Sequence, residues 1–375
     1  MKTVVALITL ASALTFAEAQ SVQGTAEGFA SGITGGGDAS PVEPADIDEL
    51  TTLLTSTDPQ VIVLTKEYNF IGSEGDTTAN ACQSWGTDDA CQDIITDDCG
   101  DSPSVTVTYD AAGPNPIDVA SDKTIIGVGD AGVIRGKGLR FRDGATNIIV
   151  QNIMITELNP KHVWGGDAIS FDNSDLIWID HVHTSQIGRV HYCFGHEASH
   201  RITISNSFLD GDTPYSTSCD GYQYWGMELV GADDQITFKK NYIYKTSGRS
   251  PALSGSTLFH ACNNVWEDNP GHAIEGDTDG KGLFEGNLWI DVANPGDDST
   301  FTAGALFTSP DDSTNAQCEQ YIGRACQLNV YDNSPEVAWD NMDFFGEFAD
   351  EAAVAECDDA ETGTASVAVD AGNTL

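Results

Sequence analysis

One pattern constrains this chain more than any other. Short alternating apolar runs recur, each interrupted by a single polar residue. They are NIIVQNIMI (147–155), DLIWIDHVHT (175–184), HRITISNSFLD (200–210), DQITFKKNYIY (234–244), TLFHACNNVW (257–266) and KGLFEGNLWI (281–290). The interrupting position falls at Asn152, His181, Asn206, Asn241, Asn264 and Asn287, with Gly127 of KTIIGVG as an earlier member. Successive spacings are 25, 29, 25, 35, 23 and 23 residues. A period in the twenties built on short β-runs is the mark of a solenoid. One such strand cannot bury its apolar face alone, but coils stacked at a strand spacing of about 4.8 Å bury a continuous core. Asparagine suits the corner of such a coil. It tolerates the left-handed backbone region, and stacked amides can hydrogen-bond from coil to coil. A β-sandwich would not repeat asparagine at fixed phase. The expected fold is all-β: a right-handed parallel β-helix with an N-terminal capping helix and long loops that form a cleft.

The ends depart from the repeat. Residues 41–56 place Ile47, Leu50, Leu53 and Leu54 at helical spacing behind a proline, as a cap on the first coil requires. Residues 72–104 and 293–330 are expected to be loop excursions. Residues 1–19 combine Lys2, an apolar run from Val4 to Phe16 and the small-residue site Ala17-Glu18-Ala19, the pattern of a secretory signal peptide. The apolar run is shorter than the ~20 residues of a membrane span. The expected division is therefore a signal peptide (1–19), one β-helix domain (20–345) and an acidic, partly disordered tail (346–375). Nine cysteines agree with a secreted, extracellular location. Cys82 with Cys99 and Cys318 with Cys326 are close enough in sequence to staple loops, and the odd count leaves one thiol over. Cys262, in an apolar stretch, is expected to be a buried free thiol. The formal charge is −42, from 16 Lys plus Arg against 58 Asp plus Glu. Such a field repels nucleic acid and disfavours polyanionic partners. Neither a membrane partner nor N-glycosylation is expected, since Asn-x-Ser/Thr is absent.

Three segments fall outside the repeat: HVWGGDAIS (162–170) with Trp164 and Asp167, SQIGRVHY (185–192) with Arg189, and TSGRSPAL (246–253) with Arg249. Arginine is scarce here, and Arg249 lies between Gly248 and Ser250-Pro251, a frame no solvated surface charge needs. Between these segments lies CDGYQYWGMEL (219–229), with Tyr222, Tyr224 and Trp225, rings of the kind that stack on sugar faces. Each residue also has a structural role open to it. Asp167 can close a turn, the arginines can pair with carboxylates, the tryptophans can be core, and His181 is read as structural. No histidine pair has metal-ligand spacing, and neither Gly-x-Ser-x-Gly nor a phosphate loop occurs.

At these residues the chain resembles the pectin lyases of polysaccharide lyase family 1. The resemblance rests on VWGGDAIS, LIWIDH (176–181), IGRVHY, CDGYQYW and TSGRSP together, and runs from about residue 21 to about 330. It implies the parallel β-helix and the disulfides Cys82–Cys99, Cys91–Cys219 and Cys318–Cys326, leaving Cys193, Cys262 and Cys357 over. It implies a catalytic group of Asp167, Arg189 and Arg249, and cleft aromatics at Trp85, Trp164 and Trp225. The implied activity is cleavage of methyl-esterified polygalacturonan by β-elimination, with no cofactor and no metal, by a monomer. Two departures stand out. The family commonly has Lys after GRSP, where this chain has Ala252, and CQDIITDDC (91–99) lacks the family's tryptophans. A calcium-dependent pectate lyase, a polygalacturonase on the same fold and a weakly catalytic cell-wall polysaccharide binder remain as alternatives.

Overall fold

The computed structural model describes residues 21–277, 279–297, 299, 305–348 and 354–375. The expected leader therefore lies outside the described residues. Parallel strands stack coil upon coil along three faces. The first face carries Leu139 to Arg142, Ile169 to Asp172, Tyr192–Phe194, Met227–Leu229, Ala252–Leu253 and the end of Val265–Gly276. The second runs from Gln60–Leu64 and Lys123–Gly127 through Gln235–Lys239 and Leu258–Cys262 to Lys281–Glu285 and Ala305–Phe307. The third includes Val133–Arg135, Met154–Leu158, His183–Ile187, Phe208–Asp210, Tyr242–Tyr244 and Val330–Asp332. The chain is a parallel β-helix.

Alternation along each strand decides what points inward. On the second face one inward column reads Ile62, Ile125, Val150, Ile179, Ile204, Phe238, Ala261 and Phe284, all buried. Rings stack in the same way. Phe171 lies 4.3 Å from Phe194 and Trp266 4.1 Å from Trp289, in near-parallel pairs. Repetition of like residues at one register position thus builds a continuous core.

The corner asparagines occupy two adjacent columns rather than the one the spacing implies. Asn152, His181, Asn206, Lys240, Asn263 and Gly286 take left-handed φ between 46° and 61°. In the later coils the next residue forms the amide ladder. Asn241 donates to Asn264 Oδ1, Asn264 to Asn287 Oδ1 and Asn287 to Asn329 Oδ1, each at 3.0 Å. Ser207 takes the ladder position below Asn241. The alignment slips by one residue between Asn206 and Asn241 because either column accepts asparagine. Asn264→Ala is expected to cost on the order of 3 kcal/mol, since it strands the buried amide of Asn241 and the carbonyl of Phe238. Urea denaturation will measure it.

The cap is the helix Ile47–Thr55, started by Asp46, whose side chain accepts from the amides of Asp48 and Glu49. Leu50 and Leu54 are buried against the first coils. Residues 72–104 are more ordered than a loop excursion. Asp76–Cys82 pairs antiparallel with Asp93–Ile95 and Ser104–Asp110, and His162–Val163 joins their sheet. The described part of 293–330 completes a coil and adds the short helices Asp312–Asn315 and Glu319–Ile322.

Residues at both ends of the described chain strap the helix. Residues 21–38 cross the second face. The amides of Phe29, Ala30 and Gly36 donate to Thr237, Thr203 and Thr124. Gly28, at φ +65°, must be glycine, because a Cβ would sit 2.1 Å from Thr237 Oγ1. Residues 354–375 run back along the left-handed corner instead of trailing in solvent. Asn263 exchanges hydrogen bonds with Asp358, Asn206 O accepts from Gly372 N, and Asn152 exchanges hydrogen bonds with Leu375. That return corrects the cysteine expectation. Cys262 is no free thiol but is bonded to Cys357 across 95 residues, which leaves Cys193 free among the described residues. The other bonds are Cys82–Cys99, Cys91–Cys219 and Cys318–Cys326.

Candidate active site

The outward column of the first face reads Arg140, Ser170, Cys193, Glu228, Ala252 and Glu275. Three turns deliver side chains to its edge. Asp167, Arg189 and Arg249 each precede a strand of this face by two or three residues. Stacked coils therefore bring together groups far apart in sequence.

Arg189 is nearly buried and held on three sides. Its Nε and Nη2 donate to the two oxygens of Asp167 at 2.9 and 2.7 Å, a bidentate pair. Its Nη1 donates to Glu228 Oε2 at 2.7 Å, and Nη2 lies 3.2 Å from Cys193 Sγ. Burial opposes its charge, but the Asp167 carboxylate outweighs burial and holds the guanidinium above its ordinary range. Arg249 is more open. Its Nη1 donates to Glu228 Oε1 at 3.1 Å and its Nε to Glu275 Oε1 at 3.0 Å. Glu228 thus bridges the two arginines. Glu275 also accepts from the Tyr224 hydroxyl at 3.1 Å and from His272 Nε2. Burial alone would raise the carboxyl of Glu275. His272 and Arg249 outweigh it and hold the group low.

The frame around Arg249 now has a cause. Arg249 itself takes a left-handed φ of 45°. A Cβ on Gly248 would lie 2.3 Å from the Tyr224 ring, so only glycine lets that ring pack behind the arginine. Ser250 turns inward, its hydroxyl 3.1 Å from Thr246 and its carbonyl accepting from Trp266 Nε1.

Aromatic rings flank both cations. Trp164 is 52 % exposed, and its ring lies 4.2 Å from the Arg189 guanidinium carbon. Trp225 lies 5.1 Å from that of Arg249 and meets Trp85 edge-on. Tyr222 stands apart. Its hydroxyl donates to Asp268, Lys245 lies over its ring, and it contacts neither arginine among the described residues. Where the tryptophans of 91–99 are lacking, Gln92 is buried instead. It donates to the carbonyls of Pro160 and Gly188 and accepts from Trp225 Nε1 at 3.1 Å. It fixes the orientation of Trp225, beside the Cys91–Cys219 bond.

Sequence reading missed Glu228, Glu275, His272 and Gln92. Strand alternation held a signal for the glutamates, since Met227 and Leu229 read inward and leave Glu228 outward. Nothing local marked them among 58 acids. Cys193 is a thiol in the same column. Burial, with Asp167 and Glu228 nearby, pushes it up to about 12. The folded protein is expected to resist iodoacetamide at pH 8 and to take up one label only on denaturation without reductant, as mass spectrometry will read.

The donor set does not fit a resident cation. Asp167, Glu228 and Glu275 already accept from Arg189 and Arg249, so a divalent ion would have to displace a guanidinium. Among the described residues, the remaining cluster of ligand-type residues is His260, Cys262 and Cys357, whose sulfurs are joined to each other.

A family model described as pectate lyase matches residues 95–336. The chain is 59 % identical to a probable pectin lyase C of Emericella nidulans, over 98 % of this chain and 99 % of that one. It is 60 % identical to a probable pectin lyase A of Aspergillus flavus, over 88 % of each, and 49 % to the pectin lyase A of Emericella nidulans, over 98 % and 99 %. Among solved structures, a pectate lyase of Bacillus sp. N165 in complex with trigalacturonate superposes with a TM-score of 0.57 at 20 % identity, over 92 % of this chain and 98 % of that one. A pectate lyase bound to a hexasaccharide gives 0.59 at 13 %, over 95 % and 99 %. At those identities the likeness is one of fold. The curated relatives go further, because they match 88–98 % of this chain at 49–60 % identity: this chain belongs to the pectate lyase family, among its pectin lyases.

Proposed function

We propose that this protein is a secreted, monomeric lyase that cleaves methyl-esterified polygalacturonan by β-elimination without a metal ion. The observation that carries the reading is the pair of guanidinium groups, Arg189 and Arg249, joined through Glu228 on an outward strand column between the rings of Trp164 and Trp225. The relatives named pectin lyases support the substrate. Four disulfides and the leader-like start support an oxidising, extracellular location.

The chemistry asks for what this floor offers. The C5 proton is removed, the pair from C5–H becomes the C4=C5 double bond, and the C4–O bond breaks. The departing oxygen takes a proton and becomes the new reducing end. Charge builds on the C6 carbonyl oxygen, where preoriented donors lower the barrier most. An ester carbonyl acidifies C5 without carrying a negative charge, so donors alone serve where a carboxylate would need a divalent cation. Asp167 sets the orientation of Arg189 and keeps it cationic. Arg249 faces C5. Arg249 or a hydroxide ion beside it takes the proton, and the rate is expected to rise with pH.

Highly methylated pectin, protein and excess chelator, followed by ultraviolet absorbance, tests the reading. Steady formation of the 4,5-unsaturated uronide is expected. Dependence on added calcium, or reducing sugar without absorbance, would overturn it.

A further inference from the structure

The proposed reaction depends on where Arg189 stands, and the turn that carries it is held by side chains where a strand would otherwise hold it. Pairing with the coil above stops at Ser185 and Asp210 and resumes at Tyr192 and Met227. Residues 211–226 between them carry no strand. The amides of Gly188 and Arg189 donate to the carbonyls of Leu158 and Gly166 in the coil below, at 2.9 and 3.0 Å. On the other side, two buried glutamines meet three successive carbonyls. Gln223 Nε2 donates to Ile187 O at 3.0 Å and to Arg189 O at 2.9 Å, and Gln92 Nε2 donates to Gly188 O at 3.0 Å. Both glutamines also reach the Arg249 side of the cleft. The Gln223 amide donates to Lys245 O at 3.1 Å, and its carbonyl accepts from Ser247 N at 2.9 Å, two residues before Arg249. Gln92 Oε1 accepts from Trp225 Nε1 at 3.1 Å, and the Trp225 ring flanks Arg249.

We infer that Gln92 and Gln223 are positioning residues that clamp the turn 187–189 and set the Arg189 guanidinium in register with Arg249. This rests on the lyase reading above. A donor aimed at a developing oxyanion acts only from the right place, and an error of about 1 Å can cost ~100-fold in rate. Asp167 fixes the guanidinium end of Arg189, and the glutamines fix its backbone end. The turn has little slack. A Cβ on Gly188 would lie 2.7–2.9 Å from the carbonyl oxygens of His162, Leu158 and Asn159. Without the glutamine amides, buried carbonyls lose their partners, and the turn has to shift to find others. Gln223 Oε1 has no partner among the described residues, so this side chain serves as a donor alone. Methionine, of similar length, removes that function and keeps the bulk. Neither glutamine supplies a reacting atom. Cys193 reports on the clamp, since Arg189 Nη2 lies 3.2 Å from its Sγ and a displaced guanidinium uncovers the thiol.

The test compares wild type, Gln223→Met, Gln92→Met and Asn264→Ala, the last a destabilised protein with an unaltered cleft. Two readouts are taken: kcat and KM on highly methylated pectin, and the rate at which native Cys193 takes up iodoacetamide, followed by mass spectrometry. In Gln223→Met, kcat is expected to fall about tenfold to a hundredfold with KM within about twofold of wild type, because the transition state loses an aligned donor. Labelling of Cys193 should quicken about tenfold or more. Gln92→Met should lower kcat, quicken labelling and also raise KM, because Trp225 loses its acceptor. Asn264→Ala should match wild type in kcat and in labelling, which separates positioning from stability alone. In Gln223→Met, labelling at the wild-type rate, or a kcat within about twofold of wild type, overturns the clamp. Equal quickening in Asn264→Ala overturns it too. If Gln223→Met does not fold, Gln92→Met decides by kcat and labelling. If the wild type forms no unsaturated product, the lyase reading fails, and labelling still judges whether the glutamines place Arg189.

Discussion

Replacing Arg249 with alanine is expected to lower kcat by about three orders of magnitude, the scale of losing a donor to a developing oxyanion together with the group that faces C5. The fold should survive. Alanine and arginine pay the same strain at the left-handed φ of 45°, because both carry a Cβ. Glu228 keeps Arg189, and Glu275 keeps Tyr224 and His272. The melting transition should therefore move by only a few degrees while cleavage disappears. Arg249→Lys is the finer instrument. It keeps the charge but cannot hold Glu228 and Glu275 at once with one ammonium, so partial recovery well below wild type is expected. Circular dichroism and the unsaturated-product assay on the same preparations will check both. An alanine variant within tenfold of wild type would remove Arg249 from the chemistry.

The largest stability effect is expected far from the cleft. Glu285 is fully buried and accepts two hydrogen bonds from Arg324 at 2.8 Å, one from His260 Nε2 at 2.9 Å and one from Gln327 N at 2.9 Å. Arg324→Ala leaves that carboxylate without its guanidinium, which costs about 3–5 kcal/mol for a buried pair broken on one side. Acid should reveal the same network. Burial pushes Glu285 up, but His260 and Arg324 outweigh it and hold the carboxyl at about 2, below its ordinary value of 4.5. Its stabilisation is therefore complete above about pH 4.5 and is lost as pH falls toward 2. Burial lowers His260 from 6.5, so acid also favours the unfolded state there. In Arg324→Ala the carboxyl keeps His260 but loses Arg324's part in holding it low. The stability gap between the two proteins should be widest near pH 7 and shrink toward pH 3. Urea midpoints across that range will measure it, and a constant gap would exclude Glu285 as the cause.

The two predictions lie at opposite ends of what could be read beforehand. The coil repeat was visible because every coil solves the same burial problem with the same alternation. The inward column from Ile62 to Phe284 is written in eight separate stretches of sequence. Arg189 and Arg249 were visible because scarce cations sat in glycine-flanked turns outside that repeat. The same reasoning put the corner asparagines in one column, since one residue of slip changes neither composition nor period.

The chain by itself determined the solenoid, its cap and the identity of the two arginines, because these depend on local period, local turn chemistry and rarity. Only the tertiary structure decided which carboxylates meet those arginines, that Tyr222 does not, and that Cys262 finds Cys357. Those pairings join residues tens of positions apart. Their partners are set by which rung of the stack each coil occupies, and any of 58 acids or nine cysteines is locally as good as another. A stacking register is a property of all the coils together, so no single stretch of sequence can state it.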